Sequence, residues 1–74
     1  MKYLRDPKFL KAFGLHLKKL RESKKVSQSQ LANDCGMEIS QIRRLERGLL
    51  NTSISNIHFI AQALEVPEKE LFNF

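Results

Sequence analysis

The sequence predicts an all-α fold in which five short helices pack into one domain spanning residues 1–74, and three observations predict it. Apolar residues recur at three- and four-residue spacing over Phe9–Leu20 and again over Ile54–Leu64, the period of a helix with one buried face. Residues that start and stop helices punctuate the chain: Asp6 with Pro7, Ser27, Gly36, Gly48 and Pro67. Between the two apolar stretches, Ser27 to Gly48 reads as two helices on a glycine-centred turn, each too short to be stable unless packed on the other and on the rest of the chain.

The elements follow in order. Met1 to Arg5 is a short basic lead-in, expected to fray. Asp6 is a helix-capping acid and Pro7 suits the first turn, so the first helix starts there and runs to about Lys24, with Phe9, Leu10, Phe13, Leu17 and Leu20 on one face. Gly14 inside this helix costs about 1 kcal/mol against alanine and permits another helix to approach closely. His16 borders the apolar face without a second ligand nearby and reads as a packing or surface residue. Ser27 and Gln30 have the spacing of a capping box, Leu31, Ala32 and Cys35 share a stripe, and Gly36 supplies the positive φ of a helix stop, giving a second helix over about Gln28–Cys35. A third runs from about Ile39 to Arg47, with Gly48 as its stop. Ser53 or Ser55 caps the fourth, whose apolar face is Ile54, Ile57, Ile60, Ala61 and Leu64. Pro67 starts a short fifth helix in which Leu71 closes the core.

The third helix carries the functional signal. On a wheel of about 100° per residue, Ile42 and Leu45 point one way, while Ser40, Arg43, Arg44 and Arg47 point the other. An arbitrary cationic helix face is most often only a solvated surface. Here the cationic face belongs to the second helix of a helix-turn-helix spacing, and a helix of this width, held from behind by a partner, fits the major groove of B-DNA.

The run SQSQLA, the turn at Gly36, the ending IRRLERG and the later SISNIHFIAQAL resemble the Cro and phage-repressor-like helix-turn-helix family over about Phe13–Phe72. The resemblance implies a compact five-helix DNA-binding domain whose second and third helices form the reading unit. It implies that Arg21 pairs with Glu46 to pin the first helix to the reading helix, the alternative being an ordinary surface pair. It implies that Gln28 contacts a phosphate and braces the start of the reading helix, a role that the unpaired amides of a helix N-terminus support. The end of the reading helix and the loop after it are implied to meet the backbone, with Arg47 and Asn51 as phosphate donors; Asn51 reads equally well as a turn residue. The chain departs from the family at Glu38, where a Ser or Thr cap is usual, and at Ile39, where a polar residue is common. By position, Ile39, Ser40 and Arg44 are expected to reach base edges, with Arg43 as a fourth. Isoleucine suits a thymine methyl, and a guanidinium bridges guanine O6 and N7.

Charge agrees with a polyanionic partner. The net charge is +5, divided as +7 over residues 1–47 and −2 over residues 48–74, so the positive field lies on the half with the reading helix. Double-stranded DNA is favoured over RNA, because the A-form major groove does not admit such a helix and the chain offers no aromatic stacking platform. Two His and one Cys build neither a disulfide framework nor a structural zinc site, and Cys35 reads as a small buried apolar residue. No metal, cofactor or small-molecule substrate is expected. There is no nucleophile with a base and orienting group and no phosphate-cradling glycine loop, so an enzyme is the weakest reading. No apolar run approaches the roughly 20 residues of a membrane span, and the N-terminus lacks a signal-peptide stretch, so the expectation is a cytoplasmic protein without a second, ligand-sensing domain.

The leading expectation is a sequence-specific transcription regulator, a repressor that competes for a promoter as a homodimer on two half-sites. Phe59, Phe72 and Phe74 are the candidate dimer or partner residues, with His58 also off the core face. The alternative is an antitoxin-like module that binds a partner protein through the same apolar residues and regulates its own operon.

Overall fold

The computed structural model describes residues 5–74, and over them the chain is α-helical with no strand. Four α-helices, α1 Pro7–Ser23, α2 Gln28–Cys35, α3 Ile39–Glu46 and α4 Ile54–Leu64, are followed by a 3-10 turn at Glu68–Phe72. The expected fifth helix is therefore a single tight turn. Five residues between Pro67 and Asn73 allow little more than the i→i+3 bonding of a 3-10 segment. Most of the lead-in expected to fray lies outside the described residues. Arg5 precedes α1 without helical structure, and its guanidinium donates to the Leu49 carbonyl at 3.3 Å.

Local chemistry sets the boundaries. The Asp6 carboxylate accepts from the amides of Lys8 and Phe9 at 3.0 and 3.1 Å, satisfying two donors of α1's first turn. Ser27 and Ser53 accept likewise from Gln30 and Asn56, which decides between Ser53 and Ser55 as the cap of α4. The capping box expected at Ser27 forms by half, because the Gln30 amide donates to Asp34 one turn on rather than returning to the cap. At α3 the returning half does form, with Gln41 Oε1 accepting from the Glu38 amide at 3.0 Å. Gly36 ends α2 at φ +74°.

The helices enclose one core. α1 packs on α3, α2 packs on α3 and α4, and both α1 and α4 pack on the terminal turn. Leu17, Leu31, Ile42, Leu45, Ile60, Leu64 and Leu71 are fully buried, each contributing about 1.5–3 kcal/mol relative to exposure. Met37, in the turn between α2 and α3, joins them. Two expected core residues do not. Phe9 lies at the start of α1 half out in solvent and stacks on Phe74 at 5.6 Å between centroids. Ile54, the first residue of α4, is 89% exposed and lines an open groove, whereas Ile60, Ala61 and Leu64 of the same helix are buried.

Gly14 is where two backbones meet. A Cβ at this position would collide with the Leu45 carbonyl oxygen and stand 2.6 Å from that of Glu46, so α1 lies directly on the last turn of α3. The absence of a side chain at residue 14 sets how closely the two helices approach.

Candidate nucleic-acid interface

α3 is held from behind by a buried ion pair. Arg21 Nε donates to Glu46 Oε2 at 2.6 Å, and a second guanidinium nitrogen donates to Glu46 Oε1 at 3.1 Å, a bidentate arrangement. The remaining nitrogen donates to the Val26 carbonyl at 2.8 Å, in the loop leading to α2. Both residues are 7% exposed. Hydrogen bonding to Glu46 raises the Arg21 pKa above its already high ordinary value, so burial leaves this arginine charged. One side chain thus ties α1, the loop before α2 and the end of α3 together.

Gln28 belongs to the same cluster. Its Nε2 donates to Glu46 Oε1 at 2.9 Å, so the first residue of α2 braces the end of α3, whereas the sequence reading placed the brace at the start of that helix. The reason is the direction of α3, whose C-terminal turn approaches α1 and the N-terminus of α2.

The opposite side of α3 faces solvent. Ser40, Arg43, Arg44 and Arg47 are all exposed, while Ile42, Leu45 and Glu46 are buried. Three arginines on one face therefore lack the packing role of their neighbours. Arg44 leans toward the following loop, 3.4 Å from the Leu49 carbonyl that also receives Arg5. Arg43 and Arg47 lie on the other flank, around a cleft shared with Leu15 and Lys18 of α1. Ile39 is half-buried against the core, so only part of its apolar surface is left to meet a ligand. Glu38 is the N-cap residue, and its carboxylate is favoured there by the positive end of the helix dipole. Asn51 is exposed in the loop between α3 and α4.

The expected dimer residues separate into two places. Phe72 stacks on Phe13 at 5.3 Å and borders an apolar groove of about 170 Å³ with Phe9, Leu50, Ile54 and Ile57, and Phe74 lies against Phe9 and His16. Phe59 stands apart beside His58 on α4. Both histidines hold the terminal turn: His16 Nε2 donates to the Glu70 carbonyl at 2.6 Å, and His58 Nδ1 meets Glu68 at 2.6 Å. Neither contact was legible in the sequence, since 54 residues separate the first pair. Cys35 is buried with its thiol 3.8 Å from the Ala32 carbonyl, and burial pushes its pKa up, away from a reactive thiolate. Among the described residues, no helix is long and apolar enough to cross a membrane.

Known proteins share both the pattern and the geometry. The helix-turn-helix family pattern matches residues 17–71. Control protein C.BamHI of Bacillus amyloliquefaciens is 40% identical over 63 residues, covering 84% of this chain and 78% of that protein. The crystal structure of the restriction-modification controller protein C.AhdI from Aeromonas hydrophila superposes with a TM-score of 0.82 at 40% identity, over 88% of this chain and 97% of that one. A hypothetical transcription factor, NHTF from Neisseria, superposes with a TM-score of 0.79 at 32% identity, over 96% of this chain and 81% of that one. The match spans α1 to the terminal turn, including the Gly36 turn and the arginine-faced third helix, and the chain belongs to the Cro and phage-repressor-like helix-turn-helix family.

Proposed function

We propose that this chain is a sequence-specific double-stranded DNA-binding transcription regulator that inserts α3 into the major groove and represses by occupying a promoter. The observation that carries the reading is the division of α3. One face is buried and pinned by Arg21, Glu46 and Gln28, and the other presents Ser40 and three arginines to solvent. A rigid helix with an unpacked cationic face meets the requirements of groove insertion: shape, orientation and charge. The likeness to restriction-modification controllers favours regulation of such genes. Its site of action is the cytoplasm, where the DNA lies.

Within the groove, Ser40 and Arg44 reach base edges, with Ile39 contributing the exposed part of its side chain toward a thymine methyl. Gln28 at the start of α2, Arg47 at the end of α3 and Asn51 in the loop meet phosphates and set the register. A domain of this size covers one half-site, so specificity requires a homodimer on half-sites about 34 Å apart. Phe72, next to Ile54 and the apolar groove, supplies the surface that a second copy covers; Phe74 extends it, and Phe59 lies on a separate face.

Selection of bound duplexes from a random DNA pool at physiological salt tests the reading. The expected result is an enriched two-fold-symmetric site with half-sites one helical turn apart. General, salt-sensitive binding with no enriched sequence overturns it.

A further inference from the structure

Resting on that reading, we infer that Lys18 of α1, together with Arg43 and Arg47 of α3, forms a seat for a backbone phosphate of duplex DNA, and that Arg43 positions the protein rather than reading a base. The sequence gives no reason to single out Lys18 from the other lysines of α1, because its role depends on where α1 crosses α3.

The three cations line one cleft of about 360 Å³, whose walls also include Leu15, Gln28 and Glu46. Among the described residues Glu46 is the only carboxylate lining the cleft, and it is already satisfied: Arg21 binds both of its oxygens, and Gln28 donates to one of them. It therefore does little to neutralise the three cations. None of them has an ion-pair partner among the described residues, where the pairs are Arg21 with Glu46 and His58 with Glu68. Three like charges around one cleft repel each other until an anion enters.

Position argues for phosphate rather than base. Arg43 and Arg44 both lie in the last turn of α3, so the flank separates them: Arg43 lines the cleft toward α1 with Arg47, the C-cap, whereas Arg44 leans away toward the loop after α3. Arg43 and Arg47 are four residues apart and so share one flank, the flank toward α1. A groove-bound helix has a sugar-phosphate strand on each side, and the strand on this flank passes the cleft. Gln28 has a second amide hydrogen beyond the one given to Glu46, a further donor for the same phosphate. Leu15, half-exposed at the rim, offers an apolar surface to the adjoining deoxyribose.

The test is Lys18→Ala, with Lys19→Ala as control, each titrated against the selected duplex and an unrelated duplex at a series of salt concentrations by fluorescence anisotropy. Both lysines are exposed within α1, and alanine preserves the helix, which thermal denaturation verifies. Lys18→Ala is expected to weaken binding to both duplexes by the same factor, several-fold, and to lower the slope of log K against log salt by about 0.9. Arg43→Ala is expected to do the same, the double variant to lower the slope by about 1.8, and Lys19→Ala to leave it unchanged. The sequence enriched from a random pool stays the same in every case. An unchanged slope for Lys18→Ala overturns the seat, and a changed base preference for Arg43→Ala returns that residue to base reading. Sequence-selective binding by the unaltered protein is read independently, so loss of the phosphate seat is distinguishable from failure of the DNA-binding reading itself.

Discussion

Two ion pairs in this molecule have the same closest nitrogen–oxygen distance, 2.6 Å, and very different consequences. The Arg21 and Glu46 side chains are 9% and 3% exposed, whereas those of His58 and Glu68 are 50% and 53% exposed. In the first pair both charges have left water, and four hydrogen bonds centred on them join α1, the loop before α2, the start of α2 and the end of α3. In the second, water and salt screen both partners, and the contact joins α4 only to the terminal turn. Distance alone therefore says little about an ion pair. Burial and the number of groups that share the charge decide whether it positions a functional helix.

The strongest way to break this comparison is Glu46→Ala. It leaves the Arg21 guanidinium buried and unpaired, a change expected to cost about 3–5 kcal/mol in denaturant unfolding, which is most of the stability available to a domain this small. The paired replacement Arg21→Met with Glu46→Leu removes both charges and is expected to recover most of that stability. Duplex affinity should remain reduced, because Gln28 then has no acceptor on α3. If the paired variant binds DNA as well as the unaltered protein, the buried pair serves folding alone.

Gly14→Ala attacks the same helix pair from its other side. Alanine raises intrinsic helix propensity by about 1 kcal/mol, but its methyl meets the Leu45 and Glu46 carbonyls, which have no flexible end to move aside. The net expectation is a loss of about 1–3 kcal/mol in thermal or urea unfolding, with duplex affinity falling as α3 shifts. Arg44→Ala sharpens the contrast between buried and exposed charge. Its melting temperature should match that of the unaltered protein, while binding loses about 1–3 kcal/mol at one guanine of the selected site and little elsewhere.

The smallest effect belongs to the exposed pair. His58→Ala is expected to leave the melting temperature at neutral pH unchanged within measurement error. Hydrogen bonding to His58 holds the Glu68 carboxyl below its ordinary value. Its small contribution is therefore present above the ordinary carboxylate range and fades as pH falls through the lowered value. Melting curves of the two proteins between neutral and acid pH check this, and a large difference at neutral pH would place the exposed pair beside the buried one in importance.

The sequence was most informative where local chemistry decides the outcome. Asp6 with Pro7, Ser27 and Gly36 act within one turn of the backbone, so their caps and stop could be read directly. It was less reliable where periodicity continued past the end of the core. Ile54 fits the apolar face of α4 by spacing, yet at the first position of that helix it lines an open groove and stays exposed. Phe9 is similar at the start of α1, and the terminal turn is too short for the α-helix expected there. Within the candidate site, the arginine face of α3 was visible from the wheel alone. The cleft that gathers Lys18 with Arg43 and Arg47 was not, because it forms where two helices cross.

By itself, the sequence determined the helix-turn-helix and which face of α3 is buried, because hydrophobic period and capping residues act locally and leave one possible face for its arginines; the family was legible through the resemblance of its separated motifs. Only the tertiary structure decided which end of α3 Gln28 braces, which flank each arginine occupies and which lysine of α1 stands beside them. Those relations depend on the crossing of α1 over α3 at Gly14, a contact between backbones about 30 residues apart that no local pattern encodes.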